Sequence, residues 1–107
     1  MSNPPEISRQ ERMDALAKAA EVRAARAEVK RAVKAGEIAP LAALDMPVMQ
    51  RCPVADFFAS LPGIGEVKAA KLMERFGVSQ RKRVGGLGRY QRAGIIDYLN
   101  EELAGEH

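Results

Sequence analysis

From Arg9 to Ala35 the chain carries neither glycine nor proline, and that run constrains the fold more than any other feature. It opens with Ser8-Arg9-Gln10-Glu11, a capping box: the serine hydroxyl takes a free backbone amide and the glutamate reaches back. It closes at Gly36, the residue type that most readily ends a helix. About a quarter of the 107 residues is thereby committed to one long helix. Pro40, Pro47, Pro53, Pro62, Gly63, Gly77, Gly85, Gly86 and Gly88 cut the rest into short pieces. No stretch alternates apolar and polar residues as a half-buried strand does. The expected fold is all-α: a long N-terminal helix (residues 1–36, with a loose end over 1–7) and a compact helical body (37–107), one domain overall.

At 100° per residue, Met13, Leu16, Ala17, Ala20, Ala24 and Ala27 share one stripe of the long helix, thin and alanine-rich. Arg12, Arg23, Arg26, Lys30 and Lys34 fall on an adjoining stripe. In the body, Leu41–Met46 lies between two prolines and suits a short helix, with a connector over 47–52. A helix over 53–61 starts at Pro53 and turns Val54, Phe57, Phe58 and Leu61 inward. A second, Glu66–Phe76, buries Ala69, Leu72, Met73 and Phe76 and puts Lys68, Lys71 and Arg75 on its other face. A turn over Ser79–Arg83 and a glycine-rich break lead to a last helix, Arg89–Leu103, with Ile95, Ile96, Leu99 and Leu103 inward. Gly94 inside it costs roughly 1 kcal/mol against alanine.

The chemistry available is narrow. Cys52 is the one cysteine and His107 the one histidine, so neither an intramolecular disulfide, a cysteine-rich zinc site nor a histidine-based triad is expected. No apolar run reaches the roughly 18 residues of a membrane span, and the first residues lack the apolar stretch of a secretory signal. Charge is unevenly laid out: the net is +3, but residues 61–94 carry +6 and residues 95–107 carry −4. That asymmetry suits a polyanionic partner, although the same residues could simply solvate helix surfaces.

The informative segment is LPGIGEVKAAKLMERFG, Leu61 to Gly77. Two glycines flank one aliphatic residue between two helices. Ile64 plugs the turn into the core, and the amides of Gly63, Gly65 and Glu66 are left free at the start of the next helix. Free amides and the positive end of a helix dipole make an anion site that fits a nucleic-acid phosphate. Lys68 and Lys71, one turn on, can reach flanking phosphates. By itself a Gly-x-Gly is more often just a tight turn.

The wider pattern, LPGIG followed by Ala69, Leu72 and Phe76, resembles the helix-hairpin-helix of DNA-binding proteins. With FGVSQRKRVGGLGRYQRAGIIDYL it looks like a helix-two-turns-helix module. From about Glu11 to Leu103 the chain resembles the actinobacterial integration host factor family, on DALAKAAEVRAARAEVK, LPGIGEVKA, MERFGVS and RKRVGGLG. The resemblance implies sequence-tolerant duplex binding with bending or compaction of DNA, in the nucleoid and without an enzymatic activity. It carries the hairpin glycines onto Gly63 and Gly65 and the following lysine onto Lys68. The family's basic cluster, Arg-Arg-x-Arg-Gly-Leu-Gly, falls on Lys82 to Gly88, with Gly85 where the third arginine would stand.

The expected DNA-binding residues are therefore Gly63, Ile64, Gly65, Glu66, Lys68, Lys71, Arg81, Lys82, Arg83, Arg89 and Arg92. Arg23, Arg26 and Lys30 are candidates for a second DNA surface. The expected partner is double-stranded DNA, with a phage integrase-type recombinase on that DNA, and the protein is expected to be a cytoplasmic monomer. No cofactor and no metal are expected; some such hairpins hold K⁺ or Na⁺ on their carbonyls, but nothing here demands one. Glycosylase or lyase chemistry finds no support: the lyase lysine position is Val67, and no Asp occurs in 77–96. An RNA-binding, ribosome-associated role is the alternative, and Cys52 reads as inert.

Overall fold

The computed structural model describes residues 8–103, so the reading of residues 1–7 as a loose end lies outside the described residues. The long helix, α1 (Arg9–Lys34), begins where Ser8 Oγ accepts the Glu11 amide at 3.0 Å. Its end is closed by two backbone bonds, Gly36 amide to Val33 carbonyl and Glu37 amide to Ala32 carbonyl (3.1 and 2.8 Å). Gly36 sits at φ +80°, where an L side chain is strained, so glycine here is a conformational requirement.

The helix docks by its last turns. Val29, Ala32 and Val33 are buried, while Met13 and Leu16 are 57% and 67% exposed. The Met13–Ala27 stripe is therefore not a docking face. The body is too small to reach it, and α1 projects along the long axis of a molecule measuring 63 × 28 × 22 Å.

The body starts with α2 (Pro40–Leu44), Pro40 occupying its first turn, and a single 3₁₀ turn over Pro47–Met49. Next come α3 (Val54–Ala59), preceded by Pro53, and α4 (Glu66–Arg75), which ends before Gly77 at φ +64°. A 3₁₀ turn over Val84–Gly86 precedes α5 (Arg89–Asp97). The expected final helix has the expected extent, but Tyr98–Leu103 winds as a wider π turn.

Helices α3 and α4 pack as a hairpin, and Phe57, Phe58, Leu61, Ile64 and Met73 are at most 3% exposed. Each such side chain contributes about 1.5–3 kcal/mol by leaving water. Phe58 stacks on Phe76 and Phe76 meets Tyr98 edge to face, with centroids 6.2 and 6.0 Å apart, joining α3 to the last helical turns. Gly94 belongs to this packing: a Cβ there would stand 3.2 Å from the Phe76 ring, so the glycine lets that ring approach α5.

The segment before α5 is pinned to the entrance of α3. Val54 amide donates to the Lys82 carbonyl, Val84 amide to Cys52 and Gly85 amide to Gln50, all within 3.0 Å. The first two bonds form one antiparallel bridge, Pro53 to Arg83, and together the three seat Val84 in the core.

Candidate nucleic-acid interface

The turn between α3 and α4 contains two glycines with different jobs. Gly63 has φ +76°, so the chain needs glycine there to reverse. Gly65 is the N-cap of α4 at φ −99° and ψ −170°, extended backbone that any residue adopts, and a Cβ on it would meet nothing within 4 Å. The fold thus has no steric need for glycine at 65. Its effect is chemical: the N-cap has no side chain to cover the first amides of α4. Among the described residues, the amides of Gly63, Gly65, Glu66, Val67 and Lys68 enter no hydrogen bond. Ile64, 3% exposed, anchors the turn beneath them, and its own amide is taken by the Leu61 carbonyl at 3.1 Å.

Lys68 and Lys71 stand exposed on α4, without a hydrogen bond or ion pair among the described residues. They border a cleft of about 270 Å³ with Ile64, Leu72 and Tyr98. Arg75, the third base on that face, is not free. Both its terminal nitrogens reach Glu102 at 2.7 Å, and its guanidinium lies over Phe76 and Tyr98. That bond holds the Glu102 carboxyl below its usual range and raises Arg75. Arg31 is similarly committed to Glu28 and Glu37, whose carboxyls it lowers.

The basic turn lies beside the hairpin: Gln80, Asp56 and Glu66 line one small cleft between the turn and the start of α4. Arg81 is exposed and Lys82 half-buried. The Arg83 guanidinium donates to the Arg51 carbonyl, and Arg26 leans toward the Val48 carbonyl at 3.5 Å. Burial, helped by Asp56, pushes the Cys52 thiol up against the opposing charges of Lys30, Arg26 and Arg83. The α1 stripe and the Arg81–Arg83 turn, expected as separate surfaces, therefore converge on the 47–52 segment. Arg23 remains exposed further out on α1.

The start of α5 repeats the hairpin in outline. Gly86-Leu87-Gly88 leads into a helix whose N-cap is again glycine, although here Gln91 reaches back to the Gly88 amide at 2.9 Å. Arg89 is exposed, its guanidinium 5.6 Å from the Tyr90 ring, itself 84% exposed. Arg92 pairs with Asp45 and is thereby drawn toward α2.

Arg51, unmarked in the sequence, sits among Arg26 and Arg83, and Lys34, expected only as one base of the α1 stripe, donates to three backbone carbonyls of the hairpin. Their partners lie 25 to 32 residues away, so no local signal marks them. Among the described residues no group of His, Cys, Asp or Glu could hold a metal ion, and no helix is long and apolar enough to cross a membrane.

Residues 41–98, more than half of the chain, match the S13-like H2TH domain family. The chain is 37% identical over 99 residues to the integration host factor of Streptomyces coelicolor, covering 89% of this chain and 92% of that protein. It is 31% identical over 102 residues to the integration host factor of Mycolicibacterium smegmatis, covering 91% and 96%. A solved structure of sIHF bound to an 8-bp palindromic DNA superposes with a TM-score of 0.68 at 36% identity, over 77% of this chain and 97% of that one. The match to these relatives over 89–91% of this chain, the helical architecture and the domain match agree: the chain belongs to the integration host factor family of actinobacteria.

Proposed function

We propose that this protein is a non-enzymatic, nucleoid-associated protein of the cytoplasm that grips the phosphates of double-stranded DNA with little regard to base sequence. The observation that carries the reading is the uncovered start of α4, where Gly65 leaves amides open to an anion and nothing in the fold requires glycine. Lys68 and Lys71 extend the grip along one strand, and Arg81, Lys82, Arg83 and Arg89 supply further phosphate contacts. Contacts of this kind position a protein without reading bases. That a relative of 36% identity holds DNA in its solved structure supports the same partner.

The proposal extends to bending or compaction. Arg23, Arg26 and Lys30 continue the basic surface from Arg83 and Arg51 outward along α1, giving a duplex a second region to follow. In this reading the protein acts as a monomer, and the bent DNA serves as a substrate for an integrase-type recombinase. Charge reversal at Arg23, Arg26 and Lys30 is expected to abolish bending while leaving most of the binding; bending unchanged in that variant would refute the second surface.

Fluorescence anisotropy on a random 25-bp duplex over a salt series tests the binding. With about six phosphates neutralised, log affinity falls against log salt with slope near −5. The Lys82→Glu/Arg83→Glu variant should lose most of that affinity. Absence of binding at low salt by folded protein would overturn the proposal, and preference for an A-form RNA duplex would redirect it to RNA.

A further inference from the structure

Lys34 stands in the last turn of α1 and reaches across to the hairpin. Its ammonium donates to the carbonyls of Ala59 at 2.9 Å, Leu61 at 3.2 Å and Ile64 at 3.0 Å. An ammonium has three N–H donors, and here each finds an oxygen. Ala59 is the last residue of α3, Leu61 precedes the turn, and Ile64 lies between the two glycines. The Ala59 and Ile64 carbonyls accept no other hydrogen bond in the described structure, and the Leu61 carbonyl also takes the Ile64 amide. Three carbonyls converging on one positive centre about 3 Å away form the donor set of a monovalent-cation site, here filled by the chain's own ammonium.

The geometry of the peptide unit makes this site matter for the amides above it. In a planar trans peptide the C=O and the following N–H point in opposite directions. A carbonyl of Ile64 held toward Lys34 therefore turns the Gly65 amide the other way, toward the open side. That amide heads the uncovered group at the start of α4. The contact also ties α1 to the hairpin, so a displacement of the long helix is felt at the amides.

We propose that the Lys34 ammonium is a built-in cation that sets the Ile64–Gly65 peptide. Lys34 is thus a positioning residue for the phosphate site, and without it the three carbonyls accept a free monovalent cation. Only the consequence for DNA rests on the phosphate reading; the cation site itself does not.

The test compares the full-length protein and its Lys34→Ala variant in ammonium, potassium and tetramethylammonium chloride at equal ionic strength. Tetramethylammonium has no N–H and is too bulky to enter. In that salt the variant is expected to melt about 4–8 °C below the unmodified protein and to bind duplex DNA about tenfold more weakly. Ammonium or potassium should restore most of both losses, while the unmodified protein is indifferent to the cation. Lys34→Arg keeps the charge, but its flat fork cannot put one nitrogen among three carbonyls. It is expected to resemble Lys34→Ala in tetramethylammonium. A variant equally stable, or equally unfolded, in all three salts overturns the proposal, and so does full function of Lys34→Arg. Melting is read without DNA, so a protein that bound no duplex would refute the function while leaving the cation site standing.

Discussion

Replacing Gly65 by serine should make the protein more stable and worse at binding DNA, a combination that few substitutions at a structural glycine would give. The position is extended, with φ −99° and open space where the new Cβ would stand, so the backbone carries no strain penalty. A serine hydroxyl at the N-cap accepts an amide of the first turn, and serine exceeds glycine there by a few tenths of a kcal/mol. The same hydroxyl removes one amide from the anion site and narrows access to the rest. A hydrogen bond to a charged group contributes about 1.5–3 kcal/mol, so its loss weakens binding about 10- to 150-fold. Gly63→Ala is the contrasting variant. At φ +76° an alanine costs about 1–2 kcal/mol, so it should lower stability. Denaturant midpoints and anisotropy on the two purified variants read both quantities. A Gly65→Ser protein that binds duplex as tightly as the parent would refute the assignment of these amides to phosphate. One that is destabilised like Gly63→Ala would refute the view that the fold does not need glycine there.

Gly85→Arg restores the family's third arginine but is expected to cost about 1–3 kcal/mol of stability by overpacking. Its Cβ would lie 3.0 Å from the Gln50 carbonyl, which is fixed by the Gly85 amide; the salt slope of DNA binding should steepen by about 0.9, and an unchanged melting temperature would refute the steric argument. Glu102→Gln tests the Arg75 pair through pH. The Glu102 carboxyl is lowered in the folded state, so its contribution is fully present above the ordinary value of 4.5 and is lost as pH falls through the lowered one. Urea midpoints of parent and variant should therefore differ near neutrality and converge in acid; a gap independent of pH would refute the pairing.

The sequence announces what is decided within a few residues and is silent on what is decided across the fold. Ser8 and Glu11 are three apart, and Gly36 follows its helix directly, so both ends of α1 are legible. Gly63 and Gly65 read as the same letter, yet one serves a backbone angle and the other serves access, a difference visible only in φ and in the empty space around it. Arg92 looks as available as Arg89, but Asp45, 47 residues earlier, claims it. Lys34 reads as one more solvated base because its three carbonyls lie 25 to 30 residues on. Gly94 reads as a defect in a helix until the Phe76 ring is placed against it.

The docking face of α1 shows the same limit and bears on function. Met13 and Leu16 are as apolar as Val29 and Val33, yet only the latter meet the body, because contact is set by where the chain returns after Gly36. The outer turns therefore gain almost nothing from burial. Their helicity rests on the Ser8 cap and on alanines, the residues with the best intrinsic propensity. A helix held mainly by propensity is marginal in isolation and is stabilised further by whatever binds along it. From Arg9 to Arg26 it spans about 25 Å at 1.5 Å per residue, a reach of roughly seven base pairs along a duplex. In the proposed function that length has a purpose that core packing does not supply. It carries Arg12 and Arg23 to phosphates beyond the hairpin's reach, and Lys34 links its root to the peptide that aims the Gly65 amide.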